Sequence, residues 1–118
     1  MKTKFLLIAM FFMVGCSSKA TLYRMKVDVA SHKANNQDWD VMGNAPDIEV
    51  HIDNYTMPIL DRCRDTYRCT IGFSSLKDKW YIEVYDKDNL SSNDLIGKGD
   101  CKEGEECDLG LVKVLIED

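Results

Sequence analysis

Residues and motifs that commonly support catalysis are scarce in this sequence. Histidine occurs only as His32 and His51, and there is neither a G-x-S-x-G nucleophile motif nor a glycine-rich phosphate loop. Because histidine is the side chain most often used as a general acid or base, this scarcity leaves few ways to build a catalytic site. His51 alternates with apolar neighbours in a pattern that points it toward solvent. We therefore expect no enzymatic activity.

Positive charge is scarce as well. The chain has 15 lysines and arginines against 20 aspartates and glutamates, and residues 1–15 contain two of the lysines and no acidic residue. The remaining chain therefore has 13 basic and 20 acidic residues, a formal charge of −7. Because nucleic acids are polyanions, a protein of this charge binds them poorly. We expect no nucleic-acid partner.

Long apolar runs are missing except for one near the start, FLLIAMFFMV at residues 5–14. A helix needs about 20 apolar residues to cross a bilayer, so this run is too short. Lys2 and Lys4 precede it, and a positive segment followed by a short apolar run is typical of a signal peptide. A signal anchor or a buried helix is the alternative. The pattern predicts that residues 1–15 are a targeting segment.

The apolar run leads into the sequence MVGC at residues 13–16, which resembles the lipobox of bacterial lipoproteins. The resemblance implies that the chain is cleaved before Cys16 and acylated there. Several acyl chains make a durable anchor, because each buried CH₂ contributes about 0.8 kcal/mol. Ser17, rather than aspartate, follows Cys16, which in Gram-negative lipoproteins indicates the outer membrane. We expect an anchored domain that faces the periplasm, with residues 16–21 as the lipidated N-terminus and linker.

Four of the five cysteines remain if Cys16 carries lipid. An even number in a small exported domain is typical of disulfides, and four cysteines allow three connectivities. The spacing favours two local bridges, Cys63–Cys69 and Cys101–Cys107, each closing a short polar loop. Four thiols are also able to bind one zinc ion, although neither pair has the close spacing of most zinc sites.

From residue 22 onward, apolar residues alternate with polar ones. The segments that show this pattern wholly or in part are residues 23–29, 48–52, 67–73, 80–85, 95–98 and 111–116. A period of two is typical of strands with one buried face, and glycine, asparagine, proline and serine supply turns between them. Residues 22–118 are therefore predicted to form one all-β domain, an antiparallel β-sandwich of about seven to eight strands.

Two predicted loops are rich in aspartate, DWDVMGNAPD at residues 38–47 and YDKDNLSSNDLIG at residues 85–97. Calcium binds about six to eight oxygen ligands, many of them from carboxylates. Asp86 and Asp88 point the same way in an extended segment, because side chains repeat every second residue. Aspartate and asparagine are also common in ordinary turns, so composition alone leaves both interpretations open.

The sequence VYDKDNLSSNDLIG at residues 84–97 resembles the third calcium-binding loop of synaptotagmin-like C2 domains, which consists of a strand, D-x-D, five residues and D-x-I-G. The sequence DVMGNAPDIEV at residues 40–50 is similar to the first loop of that family. The order and separation of the loops also fit. The resemblance implies a C2-like domain that binds Ca²⁺ through Asp40, Asp47, Asp86, Asp88 and Asp94. The first loop is one residue longer than usual, so Asp38 is an additional or substitute ligand.

C2 domains that bind bilayers carry apolar residues at the tips of these loops, and the matching residues here are Val41, Met42 and Leu90. The resemblance implies that these residues contact a membrane or another partner. A strand of about eight residues is about 27 Å long, so we expect the loops to lie away from the lipid at Cys16. Their expected partner is an envelope protein, a glycan or an opposing membrane.

Together these features predict a lipid-anchored, calcium-dependent binding module of the cell envelope. The alternative is a calcium-independent adaptor, a β-sandwich lipoprotein that docks one component of a larger envelope complex. Replacing Asp86 and Asp88 would abolish partner binding in the first case and leave it unchanged in the second.

Overall fold

A computed structural model describes residues 19–33, 35–37, 39, 45–88 and 93–118 of the chain. These residues form eight strands and one 3₁₀ turn at Asp61–Cys63. The strands are β1 (Thr21–Val29), β2 (Ile48–Ile52), β3 (Tyr55–Thr56), β4 (Arg68–Ser75), β5 (Lys79–Asp86), β6 (Asp94–Lys102), β7 (Cys107–Asp108) and β8 (Val112–Glu117). Within this part of the chain no helix has the length and apolar character needed to span a bilayer.

The strands form two four-stranded sheets that pack against each other. One sheet has the strand order β4-β1-β8-β7 and the other has the order β3-β2-β5-β6. Every pairing is antiparallel. The buried apolar side chains of the two sheets belong to one core cluster. This architecture confirms the predicted all-β antiparallel sandwich.

Strand β1 shows why the alternating pattern produces this fold. Tyr23, Met25, Val27 and Val29 are at most 7% exposed, while the residues between them face solvent. The strand lies between β4 and β8, so its backbone is hydrogen-bonded on both sides. A segment with one apolar face and two paired edges is stable only against a second apolar layer, which the other sheet supplies.

An aromatic cluster closes one end of the core. Trp80 packs edge-on against Tyr23 and Phe73, with ring centroids 4.9 and 5.3 Å apart. Its indole N–H donates to the Ser75 hydroxyl at 2.9 Å, and the Tyr23 hydroxyl donates to the Lys77 carbonyl at 3.1 Å. The rings are therefore buried with their polar atoms paired, as buried tyrosine and tryptophan require.

The cysteines form the two local bridges that the spacing favoured. Cys63 is joined to Cys69, which connects the 3₁₀ turn to the beginning of β4. Cys101 is joined to Cys107, which connects β6 to β7 across the two sheets. In the chain-entropy model a bridge that closes a loop this short contributes about 2 kcal/mol to stability.

The two ends of the sandwich carry different loops. At the aspartate end β1 finishes, β2 begins, β5 finishes and β6 begins, and a hydrogen bond from the Thr66 N–H to the Pro46 carbonyl joins the two sheets. At the N-terminal end β1 begins, with Thr21 opposite Ser75, and the β2–β3, β4–β5 and β6–β7 turns meet. The nine residues of β1 separate these ends by about 30 Å.

The β2–β3 turn at the N-terminal end depends on Asp53. Asp53 and Asn54 both have positive φ, 49° and 70°, as a two-residue type I′ hairpin requires. The Asp53 carboxylate accepts hydrogen bonds from the Lys77 ammonium and from the Tyr81 N–H. Burial alone would raise the pKa of Asp53, but these two hydrogen bonds and the charge of Lys77 outweigh it and lower the pKa below its ordinary value.

We expect Asp53→Asn to make the stability of the protein less dependent on pH. A carboxyl whose pKa is lowered on folding stabilises the native state above its unfolded pKa and loses that contribution as pH falls through its folded pKa. Asparagine keeps the positive-φ turn and an acceptor but not the charge. The variant should unfold at a lower temperature than the wild type at pH 7, and the gap should close between about pH 5 and pH 2.

The control for this experiment is Lys77→Met, which removes the cation. In that background Asp53→Asn should cost less stability at pH 7 than it does in the wild type. A difference in unfolding temperature between wild type and Asp53→Asn that stays constant across the pH range would contradict the lowered pKa of Asp53.

Gly97 in β6 is required by close packing against the segment before β8. A Cβ added to it would collide with the Leu109 carbonyl oxygen and lie 2.8 Å from a Val112 methyl group. At Gly72 in β4 the nearest atom to an added Cβ, the Tyr23 carbonyl oxygen, is 3.9 Å away.

Gly97→Ala should therefore lower the free energy of unfolding by about 1–3 kcal/mol. Gly72→Ala, the matched control, should change it by less than about 0.5 kcal/mol in denaturant titrations; equal losses would argue against the close contact.

Candidate functional site

Three of the predicted calcium ligands lie at the end of one sheet. Asp86, the last residue of β5, is paired across the strands with Asp94, the first residue of β6. On the other side of β5, Ile48 is paired with Asp86, so Asp47 lies at the same end. The Asp47 N–H donates to Asp86 Oδ1 at 3.1 Å. The register of the sheet therefore places Asp47, Asp86 and Asp94 next to one another.

The two predicted loops are also connected through their backbones. The Lys87 N–H donates to the Asp47 carbonyl at 2.9 Å. This bond joins the beginning of the loop between β5 and β6 to the end of the aspartate-rich loop before β2. The Asp88 N–H donates to Asn93 Oδ1 at 3.0 Å, so the two ends of the third loop are held together. Asp88, the fourth described ligand of the predicted set, thus lies close to the end of β5.

The remaining members of the predicted sites, namely Cys16, Asp38, Asp40, Val41, Met42 and Leu90, lie outside the described residues. Among the residues that are described, no three histidine, cysteine, aspartate or glutamate side chains are arranged to hold a metal ion. Four of the six predicted ligands are thus placed, and their binding of calcium stays a prediction.

A lysine that the sequence did not indicate lies beside Asp94. The Lys33 ammonium is 2.9 Å from Asp94 Oδ2 and 5.9 Å from the centre of the Trp39 ring. Trp39 is 5% exposed, and its indole N–H donates to the Ala30 carbonyl at 2.8 Å. The tryptophan therefore forms a fixed surface against which the lysine side chain is placed. A contact between residues 61 positions apart leaves no local sequence signal.

Asp65, in the loop closed by the Cys63–Cys69 bridge, holds the end of the first aspartate loop. The Asp65 N–H donates to Asp47 Oδ1 at 2.7 Å, and the Asp65 carboxylate accepts from the Ala45 N–H at 3.0 Å. Asp65 has a positive φ of 51°, a conformation that aspartate and asparagine tolerate better than most residues. The disulfide loop thus buttresses the candidate site, a role that its cysteine spacing alone did not indicate.

His51 lies on the outer face of the β2–β5 sheet, as its alternation predicted, but it is packed rather than free. Its Nε2 is 3.0 Å from Glu49 Oε1, and its ring centre is 4.6 Å from that of Tyr85. Glu83 lies directly opposite His51 on β5, with an oxygen 3.9 Å from Nδ1. The sequence did not predict this cluster because it requires the register of two distant strands.

The His51 cluster extends toward the aspartate end. Glu49 is 7% exposed, and its carboxylate lies 3.4 Å from Asn93 Nδ2 and 4.0 Å from Lys87 Nζ. Tyr85 donates to Glu83 at 3.1 Å, and burial, this hydrogen bond and the neighbouring acidic charges raise the pKa of Tyr85. These contacts hold Lys87 and Asn93, described residues on either side of the loop between β5 and β6. They bring together acids, an imidazole and a phenol that already bond one another, which suits a structural role.

Comparisons with known proteins give no family for this fold and site: no family model matches the chain, and neither a curated protein nor a solved structure matches it.

Asp65 provides a direct test of how the first aspartate loop is held. Asp65→Ala loses the acceptor for the Ala45 N–H and places a Cβ-bearing residue with no side-chain acceptor at positive φ. It should lower the free energy of unfolding by about 1–2 kcal/mol. Asp65→Asn keeps a side-chain acceptor and tolerates positive φ, so its free energy of unfolding should stay within about 0.5 kcal/mol of the wild type in denaturant titrations. Equal losses in the two variants would contradict this account, because they would assign the effect to the charge of Asp65 and not to its hydrogen bond or positive φ.

Proposed function

We propose that the chain is an outer-membrane lipoprotein, anchored through Cys16, whose C2-like domain binds Ca²⁺ and acts as a calcium-dependent binding module for a protein, glycan or membrane partner. The observation that carries the proposal is the meeting of aspartates from two separate loops at the aspartate end. Asp47 and Asp86 are 39 positions apart in sequence and are hydrogen-bonded to each other. Asp94 is paired with Asp86 across β5 and β6.

The chemistry of these groups supports calcium rather than a softer metal. Calcium is a hard cation that prefers carboxylate and carbonyl oxygens, and the residues at this end offer oxygen donors. Clustered carboxylates repel one another at neutral pH, and a divalent cation would relieve that repulsion. The Lys33 ammonium, 2.9 Å from Asp94, already contributes one positive charge there. We infer that Ca²⁺ would compete with Lys33 for the Asp94 carboxylate.

A second candidate function is supported by the same contacts. Asp47, Asp86 and Asp94 all accept hydrogen bonds or ion pairs from the protein itself. Within the described residues, every buried side-chain nitrogen or oxygen has a partner. In the described part of the aspartate end these carboxylates therefore already have partners within the protein, which supports a calcium-independent adaptor of a cell-envelope complex.

The calcium proposal predicts a gain in stability on adding metal. Extracellular calcium modules bind with dissociation constants of about 10⁻⁴ to 10⁻³ M, so about 5 mM Ca²⁺ should raise the free energy of unfolding by about 1–2 kcal/mol. Thermal unfolding with Ca²⁺ and with chelator measures this difference. Asp86→Asn with Asp88→Asn should abolish the shift. The control is Glu105→Gln with Glu106→Gln, which removes the same charge near the N-terminal end and should retain the shift.

Lys33→Met tests whether the lysine and the metal compete. It removes the cation beside Asp94, so calorimetry should show tighter calcium binding than in the wild type. Lys26→Met, which removes an exposed lysine paired with Glu117 on the sheet surface, should leave calcium affinity unchanged. No calorimetric binding and no shift in the unfolding midpoint of the wild type would rule out the calcium module. Capture of the same partner in calcium and in chelator, unaffected by Asp86→Asn with Asp88→Asn, would then favour the adaptor.

A further inference from the structure

Large apolar side chains that remain exposed are concentrated at the N-terminal end. The described residues leave four of them more than two-fifths exposed: Leu22 at 68%, Tyr55 at 64%, Leu76 at 70% and Leu95 at 44%. Leu95 follows Asp94 at the aspartate end. The other three lie at the opposite end, where the chain enters β1. Single exposed apolar side chains are common on protein surfaces, but two leucines and a tyrosine at one end of a small domain point to a contact.

Leu22 and Leu76 lie at the same end of one sheet. Leu22 in β1 is paired with Ser74 in β4, and Leu76 is the residue directly after the end of β4. Leu76 follows the end of β4, and it is therefore at the extreme N-terminal end of the domain. Together the two leucines form an apolar edge there.

Tyr55 lies at the same end of the domain on the other sheet. It follows the Asp53-Asn54 turn, and Lys77, the neighbour of Leu76, is bonded to Asp53. A groove of about 360 Å³ between β3 and β4 is lined by Tyr55, Met57, Phe73 and Trp80. Lys19 and Lys79 are exposed around this end, as are Asp78, Glu105 and Glu106, so its charges are mixed. The exposed leucines and tyrosine, rather than a net positive charge, are therefore what this end offers to a bilayer interface.

We propose that Leu22, Leu76 and Tyr55 form a membrane-contact surface that seats the N-terminal end of the domain on the bilayer of its own anchor. The inference rests on the proposed lipid at Cys16. Five peptide units from Cys16 to Thr21 extend at most about 17 Å, so this end of the domain stays close to the bilayer. The contact makes the domain stand upright on the membrane, with the aspartate end about 30 Å away from the surface.

The occupant of this surface is a bilayer rather than a second copy or a protein partner because of the residues that precede β1. The apolar run at residues 5–14 and Cys16 precede β1 on the side where β1 starts. Any membrane that holds these residues therefore meets the N-terminal end first. Lipid bilayers also accept scattered apolar tips without the close complementarity that a protein interface needs.

Photo-crosslinking of the full chain in isolated membranes tests the proposal. A photoreactive amino acid is placed at Leu76, at Leu22, or at the control position Leu95, and the adducts are identified by mass spectrometry. All three side chains are exposed, so none of the substitutions opens the core. Positions 76 and 22 should give lipid adducts, and position 95 should give none. Adducts to a protein at position 76, or to lipid at position 95 alone, would overturn the proposal.

A second measurement follows the Lys19–Ala20 bond, which a membrane-seated domain shields from trypsin. Leu22→Ser with Leu76→Ser should speed cleavage after Lys19 and release a domain that begins at Ala20, whereas Leu95→Ser should leave the rate unchanged. Equal rates in the two variants would overturn the contact surface. Wild-type protein that fractionates without the membrane would overturn the anchor and this surface together. Membrane-bound protein that gives no lipid adduct at positions 22 and 76 would overturn this surface alone.

Discussion

The pairing of β5 with β2 on one side and β6 on the other is the constraint on which the rest of the structure depends. The inward side chains of β5, Trp80, Ile82 and Val84, are at most 2% exposed. A slip of one residue in this strand would turn all three to solvent, so burial specifies the register strongly. The same register sets Asp86 opposite Asp94 and beside Asp47. The packing of the core and the placing of these three aspartates at one end of the sheet therefore have one cause.

A β-bulge in β6 sets which residues are paired at the aspartate end of β5 and β6. Val84 pairs with Gly97 and Tyr85 with Leu95, which leaves Ile96 as the extra residue. Without it, Asp86 would lie opposite Leu95 instead of Asp94. The bulge also turns Ile96 into the core at 5% exposure while Leu95 stays outside. Bulges commonly redirect side chains next to functional sites, and this one places Asp94 opposite Asp86.

The sequence predicted what depends on local pattern and missed what depends on register. Alternation identified β1 and β2 because each has one buried face, and short cysteine spacing identified both disulfides. The strands β3 and β7 are two residues long, too short to show any period. The bulge, the Lys33–Asp94 ion pair and the bracing of Asp47 by Asp65 involve residues that are distant in the chain or that follow no pattern. The aspartates were predicted as ligands from a resemblance to C2 loops, which stays a prediction, and their neighbour Lys33 was not predicted at all.

The fold separates the two ends of the domain electrostatically as well as spatially. Each end has one of the two disulfides. Cys63–Cys69 lies beside the aspartate loops, and the loop closed by Cys101–Cys107 lies toward the opposite end. Screening in physiological salt acts over about 8 Å, far less than the length of β1 at about 30 Å. If the N-terminal end sits on a membrane, the charge of that membrane is screened before it reaches Asp86 and Asp94. Under the proposed function, the affinity of the aspartate end for Ca²⁺ would then be set by its own neighbours, above all Lys33, and not by the lipid composition beneath the proposed anchor.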